Sequence, residues 1–466
     1  MFVLSVFTPA TVALTIGKTF FKPRATGQDA VLTQALNISF LNDCEDASPC
    51  LGIETTTFYH ASTNPNDIAR YFLPNGKTEI YIKEDLSDGT VPDVWAGWLA
   101  IAGRTGKFAS TVAIKPRHQS FGIVINLHKN LDRICKNMWL LATLPFVQVQ
   151  HDLHLTECCR QDAAQSYDDL PPESQFVQNS LNATQAFNHP LLRFAKMKNG
   201  VQKLAGLADI ALNLGYTYKQ NQTLIARLYG TFIAPMGYKP NPEYVFAPLI
   251  GNGRHFGIGA GIDLECELSC NDQRRVSIIN HFAYHYLLRG VEKRTFDLIS
   301  RGRWSRYTDV VDKNNKALGL QSASNFLTQE MFVTPKSVIN NMLSLHMSSR
   351  TSQRYEVGYN FYHRSKEDIR LRHPLPSNVL LPDTPLIISQ AATVLSTNTP
   401  LQTCDADLES ATHPAVITHQ FYIATGFATD IHDCPTDISV GASYEFGDQN
   451  VSLDLWGVFF KINIAL

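Results

Sequence analysis

The chain has 466 residues, which is enough for two or three ordinary domains or for one large barrel. Its net charge of -2 gives no electrostatic reason to bind nucleic acid. No internal run of about 18 apolar residues occurs, so no internal transmembrane helix is predicted, although alternating barrel strands would escape this criterion.

The N-terminus is apolar. Residues 1–13, M-F-V-L-S-V-F-T-P-A-T-V-A, resemble the apolar core of a signal peptide with a small-residue exit near Ala13, but they lack a basic n-region. An ordinary apolar N-terminal strand is the alternative. Residues 14–50 are interpreted as an irregular segment, with a short helix near Asp29–Ala35.

The clearest pattern lies between His255 and Cys270. Every even position in this stretch is apolar, and the odd positions hold His, Gly, Asp, Glu and Ser. Since successive side chains of a strand point to opposite faces, the pattern predicts one long strand with a single apolar face. The strand is longer than the roughly 9–11 residues that a strand needs to cross a membrane.

The same alternation recurs along the chain and predicts twelve strands in all. A further short strand is predicted at Glu79–Lys83. The twelve lie at 51–61, 121–127, 139–155, 210–218, 224–236, 255–270, 276–288, 339–347, 355–361, 417–427, 438–446 and 456–466.

The connections between these strands sort by length. If the C-terminus marks the lower side, the lower connections are short turns, near 131–138, 219–221, 271–274, 349–352 and 430–437. Five of the six upper connections are long loops, at 62–120, 156–202, 237–254, 289–335 and 364–413, and the sixth is the short 447–450 turn. Such sorting is typical of outer-membrane barrels.

With these features the chain resembles bacterial outer-membrane β-barrel proteins, and porin-like proteins among them. The resemblance covers residues 120–466 well and 51–119 poorly. The last strand, V-S-L-D-L-W-G-V-F-F-K-I-N-I-A-L, looks like the C-terminal assembly strand of that class, although it ends in Leu466 instead of an aromatic residue. The resemblance implies an all-β, antiparallel, up-and-down transmembrane barrel of about twelve strands over residues 51–466. It also implies an outer-membrane location, contact with lipid and small solutes, and neither a cofactor nor an enzymatic activity.

The apolar faces are predicted to point outward to lipid. A soluble barrel would turn them inward, but four to eight apolar residues on each of a dozen strands would overfill its interior. Aromatic residues also concentrate near strand ends, as in interfacial girdles. The predicted lipid-facing residues are Phe256, Ile258, Ile262, Leu264, Trp456, Val458, Phe460 and Ile462.

The opposite faces are predicted to line the lumen. The candidate pore-lining residues are Asp209, Asn213, Arg227, Asp263, Glu265, Glu267, His281 and His285. If the hairpin pairs symmetrically about its turn, Glu265 lies near His281. Two interpretations remain open: a charge-lined pore that selects solutes, or a sealed lumen in which the charges pair with one another.

Other chemistry is poorly supported. His281 and His285 are too far apart along a strand to share one metal ion, and no other metal site is predicted. A lipase triad from Asn340, Ser344 and His346 would point inward instead of toward lipid. The sequence thus predicts a porin-like channel for small polar solutes. The alternatives are a non-transporting surface or adhesive barrel whose loops bind partners, and a soluble all-β binding protein.

Overall fold

The structure is a computed structural model of the chain. The residues that it describes are 15–37, 51–87, 89–101, 106–163, 180–220, 223–271, 274–318, 320–349, 352–382, 398–432 and 434–466. The predicted signal peptide therefore lies outside the described residues.

Twelve long strands form one closed antiparallel barrel, which confirms the predicted fold. Each strand pairs with its neighbours in sequence, and β1 pairs with β12 to close the ring. The strands are β1 Leu51–Ser62, β2 Arg117–Asn130, β3 Met138–Asp152, β4 Ile210–Gln220, β5 Leu224–Ala234, β6 Gly257–Cys270, β7 Arg274–Leu287, β8 Lys336–Ser349, β9 Gln353–Arg364, β10 Val416–Ile431, β11 Cys434–Gly447 and β12 Leu455–Ala465.

An apolar belt covers the outside of the barrel. Phe256 and Ile258 are 51% and 53% exposed, and the side chains of Trp456, Val458 and Phe460 are also exposed on this face. The other predicted lipid-facing residues are partly exposed on the same faces: Ile262, Leu264 and Ile462. So much outward apolar surface is stable only against lipid, and the protein is an outer-membrane β-barrel. None of the described helices is long or apolar enough to cross a membrane.

Phe460→Lys is expected to impair assembly because Phe460 lies on the belt near the middle of β12, where a lysine would face hydrocarbon. A charge at the bilayer midplane costs about 2–4 kcal/mol. Folding yield in detergent or lipid, read from the heated and unheated forms on a gel, measures the effect. Phe460→Leu is the control and should fold normally; equal yields for the two variants would show that this face does not contact lipid.

The connections on the two sides differ as predicted. The lower turns are short, spanning 131–137, 221–223, 271–273, 350–352 and 432–433. The upper connections hold many elements and form a cap. Its helices are α2 Pro65–Phe72, α3 Ala183–Ala186 and α4 Leu408–Ala411; α1 Ala30–Gln34 lies earlier in the chain and outside the cap. Its main strands are Glu79–Lys83, Ala109–Ala113, Thr156–Gln161, Gly290–Thr295, Asp309–Asp312, Thr328–Thr334, Asp368–Leu371 and Val379–Pro382.

The cap has hydrophobic cores of its own. One contains Phe72 of α2 together with Ile80 and Trp304, all buried. Another gathers Phe296, Met331 and neighbouring apolar residues. Where they are described, the long upper loops thus form folded layers, and the strand predicted at Glu79–Lys83 is present.

Candidate functional site in the barrel lumen

The lumen contains the N-terminal segment of the chain. Residues 15–37, here called the plug, run from the upper rim down through the barrel. At the upper end the Thr15 N–H donates to Asn450 Oδ1 at 3.2 Å. At the lower end the Leu36 N–H donates to Glu356 Oε2 at 3.1 Å, close to the lower start of β9. The plug therefore occupies most of the height of the barrel.

A short helix, α1 Ala30–Gln34, forms the lower part of the plug. Asp29 is its N-cap and accepts a hydrogen bond from the Val31 N–H at 3.0 Å. Asp29 also accepts from Gln420 Nε2 of β10 at 2.7 Å, so the same carboxylate starts the helix and fixes it to the wall. The apolar side of α1 packs on inward residues of the barrel, including Phe58 and Val124.

A buried charge network holds the top of the plug to the cap. Arg294 donates to Glu292 Oε2 at 2.7 Å and to Glu367 Oε2 at 2.6 Å. Lys22 of the plug lies 3.6 Å from Glu367, and His255 Nε2 lies 2.7 Å from Glu292. All five residues are buried. Removing one member of such a buried ion pair costs several kcal/mol of stability, roughly 3–5, because the remaining charge stays buried without its partner.

The network makes the upper anchor sensitive to acid. Burial alone would raise the pKa of Glu367, but Arg294 and Lys22 reverse this and hold that pKa well below 4.5. Burial, with the neighbouring Arg364, lowers the pKa of His413 well below 6.5. Both groups bind protons more readily in the unfolded chain, so their contribution to stability is complete at neutral pH and is lost on acidification.

We therefore expect the unfolding temperature of the cap to fall as the pH drops. The loss should begin below about pH 6.5 through His413 and steepen below about pH 4.5 through Glu367. Thermal unfolding of the detergent-solubilised protein at pH 8, 6, 5 and 4, followed by protease sensitivity of the cap, measures this. An unfolding temperature independent of pH over this range would contradict the role assigned to these groups.

Arg24 holds the middle of the plug. Its guanidinium lies 3.0 Å from Glu445 Oε2 of β11 and 3.2 Å from Asp29, and it donates to Asn340 Oδ1 of β8 at 2.9 Å. It also lies 4.5 Å from the centre of the Tyr362 ring. One side chain thereby connects the plug to three strands on different parts of the wall.

Two wall residues hold the lower end of the plug. Lys461 of β12 donates to the Ala35 carbonyl at 2.9 Å and lies 3.1 Å from Glu54 Oε1 of β1. Glu356 of β9 accepts hydrogen bonds from the Leu36 N–H of the plug and from Tyr422 Oη, the latter at 2.5 Å. It also lies 3.1 Å from His346 Nδ1. All these side chains are buried.

Little space remains beside the plug at its upper half. A cavity of about 30 Å³ lies between plug residues 22–29 and the wall, lined also by His60, His118 and Glu445. Such a volume admits one or two waters. This cavity is too small for a larger solute.

The predicted pore-lining carboxylates of β6 face the interior, but each lies beside a basic side chain. Asp263 contacts His281 and lies directly across from Arg227 on β5. Arg275 lies 3.2 Å from Glu265 and 2.9 Å from Glu267, at the lower rim. The structure thus brings the carboxylates together with basic side chains, as in the sealed-lumen interpretation.

The remaining predicted residues lie apart from this cluster. Asn213 of β4 accepts from Thr231 Oγ1 at 2.7 Å. Asp209 precedes β4 and accepts from the Gly237 and Asn252 N–H groups at 2.9 and 2.6 Å, so it fixes an upper connection. His285 lies directly across from Gly259.

The predicted neighbour of Glu265 was wrong. His281 pairs with Asp263, and Glu265 pairs with Ile279. The β6–β7 ladder shifts register between Glu267 and Ser269, and this bulge moves the pairing away from a symmetric hairpin.

The sequence did not predict one further feature of the lumen: inward aromatic rings pack on glycines of the adjacent strand. A Cβ on Gly261 would lie 2.2 Å from Tyr229, and one on Gly358 would lie 2.4 Å from Tyr422. Gly215 with Trp139, Gly441 with Phe459, and Gly457 with His60 repeat the arrangement. The glycines on the polar faces were visible in sequence, but their partners follow only from the register.

The described residues show no metal or lipase chemistry. No group of three or more His, Cys, Asp or Glu side chains among them could hold a metal ion. Asn340 is bound to Arg24 and His346 to Glu356, and Ser344 is buried on the inner face, so none of the three faces lipid.

No family model matches the chain, and no curated protein matches it. Solved outer-membrane barrels are similar in fold. An outer-membrane channel from Pseudomonas putida F1 gives a TM-score of 0.41 at 8% identity, covering 90% of this chain and 97% of that one. A Pseudomonas aeruginosa FadL homologue gives 0.32 at 9%, covering 97% and 99%, and the β domain of a Bordetella autotransporter gives 0.32 at 7%, covering 90% and 100%. These similarities carry no argument about function, which must come from the lumen itself.

Proposed function

We propose that the protein is an outer-membrane channel for small polar solutes, closed at rest by the plug. One observation carries the proposal: a separate segment, residues 15–37, occupies the lumen over most of its height. Within the described part of the chain, residues 15–37 contain no strand and share no sheet with the barrel. Moving the plug would break its side-chain contacts and its backbone hydrogen bonds to the cap, and would leave the twelve-stranded ladder intact.

The wall beneath the plug supports the same function. Its inward positions carry Glu, Asn, Lys, Arg, His and Thr side chains, for example Glu54, Asn126 and Lys461. A lumen that never contacts water gains little from such residues, because buried polar groups must be paired to avoid a penalty. A polar wall is suited to contact water and polar solutes once the plug moves.

The cap favours a second candidate function. It lies on the long-loop side and has its own hydrophobic cores. A surface barrel whose cap binds a partner would need such a folded platform and no transport path.

Planar-bilayer recording of the full chain separates the two functions. The protein should first be shown to be folded by its different mobility in heated and unheated gel samples. A plugged channel predicts a low basal conductance with discrete openings in potassium chloride. Folded, inserted protein without any openings would favour the surface barrel.

A further inference from the structure

Three inward residues lie side by side at one level of the wall, below the middle of the plug. Glu54 of β1 is directly opposite Asn126 of β2 on one side and Asn463 of β12 on the other. Their exposed fractions are 0%, 3% and 1%, so all three are buried. Directly opposite residues on one face of a sheet have Cβ atoms about 5 Å apart, and the three side chains form one patch.

Only part of this patch is satisfied. Glu54 Oε1 accepts from Asn126 Nδ2 at 2.9 Å and from Thr56 Oγ1 at 3.2 Å, and lies 3.1 Å from Lys461 Nζ. Glu54 Oε2, Asn126 Oδ1 and both polar atoms of the Asn463 side chain have no hydrogen-bond partner among the described residues. Three acceptors and one amide donor are therefore gathered in one place without partners in the described part of the chain. Groups left in this state destabilise the closed form.

The plug lies against the wall immediately above the patch. Leu32 accepts a hydrogen bond at its carbonyl from Thr56, and Ala35 accepts one from Lys461. The side chains of Leu32, Ala35 and Leu36 belong to an apolar cluster with Phe58 of β1 and Val124 of β2, inward residues that lie above the patch. Apolar plug side chains offer no partners to the polar groups of the patch, so displacement of the plug is what would let water or a solute reach them.

The charges of the patch determine which solute fits. Glu54 is already paired with Lys461, and Asp437, directly opposite Asn463, is already paired with Arg354. A further cation or anion would add an unpaired charge beside balanced pairs. Acceptors next to an amide donor suit hydroxyl groups, each of which both donates and accepts.

We propose that Glu54, Asn126 and Asn463 form a hydrogen-bonding site for neutral, polyhydroxylated solutes such as sugars and polyols in the open channel. The inference rests on the proposed channel function and specifies its substrate class. The site selects solutes by hydrogen bonding, because the charges at and beside it are already paired.

The test compares three solutes of equal size in proteoliposomes that hold the full chain. Uptake of radiolabelled glucose, glucosamine (at pH 6, as the ammonium) and gluconate is measured with the membrane potential clamped at zero. Glucose should enter faster than either charged solute by about 2- to 10-fold, the effect of one or two hydrogen bonds. Equal rates, or faster entry of a charged solute, would overturn the site.

Asn463→Leu tests the residue that carries two of the unpartnered atoms. Its side chain makes no hydrogen bond among the described residues, so an apolar replacement of similar size should fold. Glucose uptake should fall about 2- to 10-fold while potassium chloride conductance is retained. Asn280→Leu is the same substitution on the outer face of β7, where it removes hydrogen bonds to Asn341 and to the Met342 carbonyl. It is the control for location and, if it folds, should leave uptake unchanged.

The outcomes separate the two proposals. Folded wild-type protein that passes neither salt nor solute overturns both the channel and the site. A conducting protein without glucose preference, or folded Asn463→Leu with unchanged glucose uptake, overturns the site alone. If Asn463→Leu does not fold, Asn463→Ala replaces it, and the wild-type solute series decides independently.

Discussion

Lys461→Met is expected to destabilise the closed barrel and to increase its openings. Lys461 is the cation that pairs with Glu54, and it also holds the Ala35 carbonyl of the plug. Without it Glu54 remains a buried carboxylate without its partner, and removing one member of such a pair costs about 3–5 kcal/mol. Thermal unfolding and planar-bilayer recording of the same preparation measure the two effects.

The double variant Glu54→Gln with Lys461→Met is the matched control. It removes both charges, so most of the lost stability should return, because a neutral pair has no unpaired charge to bury. Openings should stay frequent, because the contact to Ala35 is still missing. If the double variant is as unstable as Lys461→Met, the ion pair is not the source of the effect; if openings return to the wild-type level, the lysine does not hold the plug.

Arg294→Met is expected to loosen the cap more than any exposed substitution. Its guanidinium contacts two buried carboxylates and the Ala411 carbonyl, and lies 3.7 Å from the centre of the Phe20 ring of the plug. Methionine leaves Glu292 and Glu367 buried without this cation, at a cost of about 3–5 kcal/mol. Limited proteolysis should cleave the cap at lower protease concentrations, while the barrel itself keeps its heat-modifiable form.

Arg372→Met provides the comparison on the surface of the cap. Arg372 lies 2.8 Å from Glu330, with side chains 42% and 49% exposed. Exposed pairs contribute about 0–1 kcal/mol, so this variant should resemble the wild type. Equal protease sensitivity of the two arginine variants would show that the buried network does not stabilise the cap.

The barrel could be predicted from sequence because its signal is local. A strand such as β6 shows its two faces within fourteen residues, and a short turn joins it to β7. Because lipid surrounds the barrel, every second residue of a strand must be apolar, and this alternation is visible in the sequence without knowledge of the tertiary contacts. A bulge in the β6–β7 ladder was enough to misplace the partner of Glu265, because register depends on single residues.

The plug and cap could not be predicted in the same way. Residues 15–37 show no periodicity, and the partners of their charged side chains lie far along the chain: Arg24 pairs with Glu445, and Lys22 with Glu367. The cap strands are short, so alternation cannot distinguish them from loops. The lumen carboxylates were visible, but their pairing with Arg275 and His281 follows only from the fold.

The conductance of the full chain compared with that of a chain lacking residues 15–37 tests the plug most directly. Both proteins must first show the heat-modifiable mobility of a folded barrel. If the plug closes a channel, the full chain shows a low basal current with brief openings, and the shortened chain shows a stable, larger current. A folded, shortened barrel that conducts no better than the full chain would contradict the assignment of residues 15–37 as the closing element.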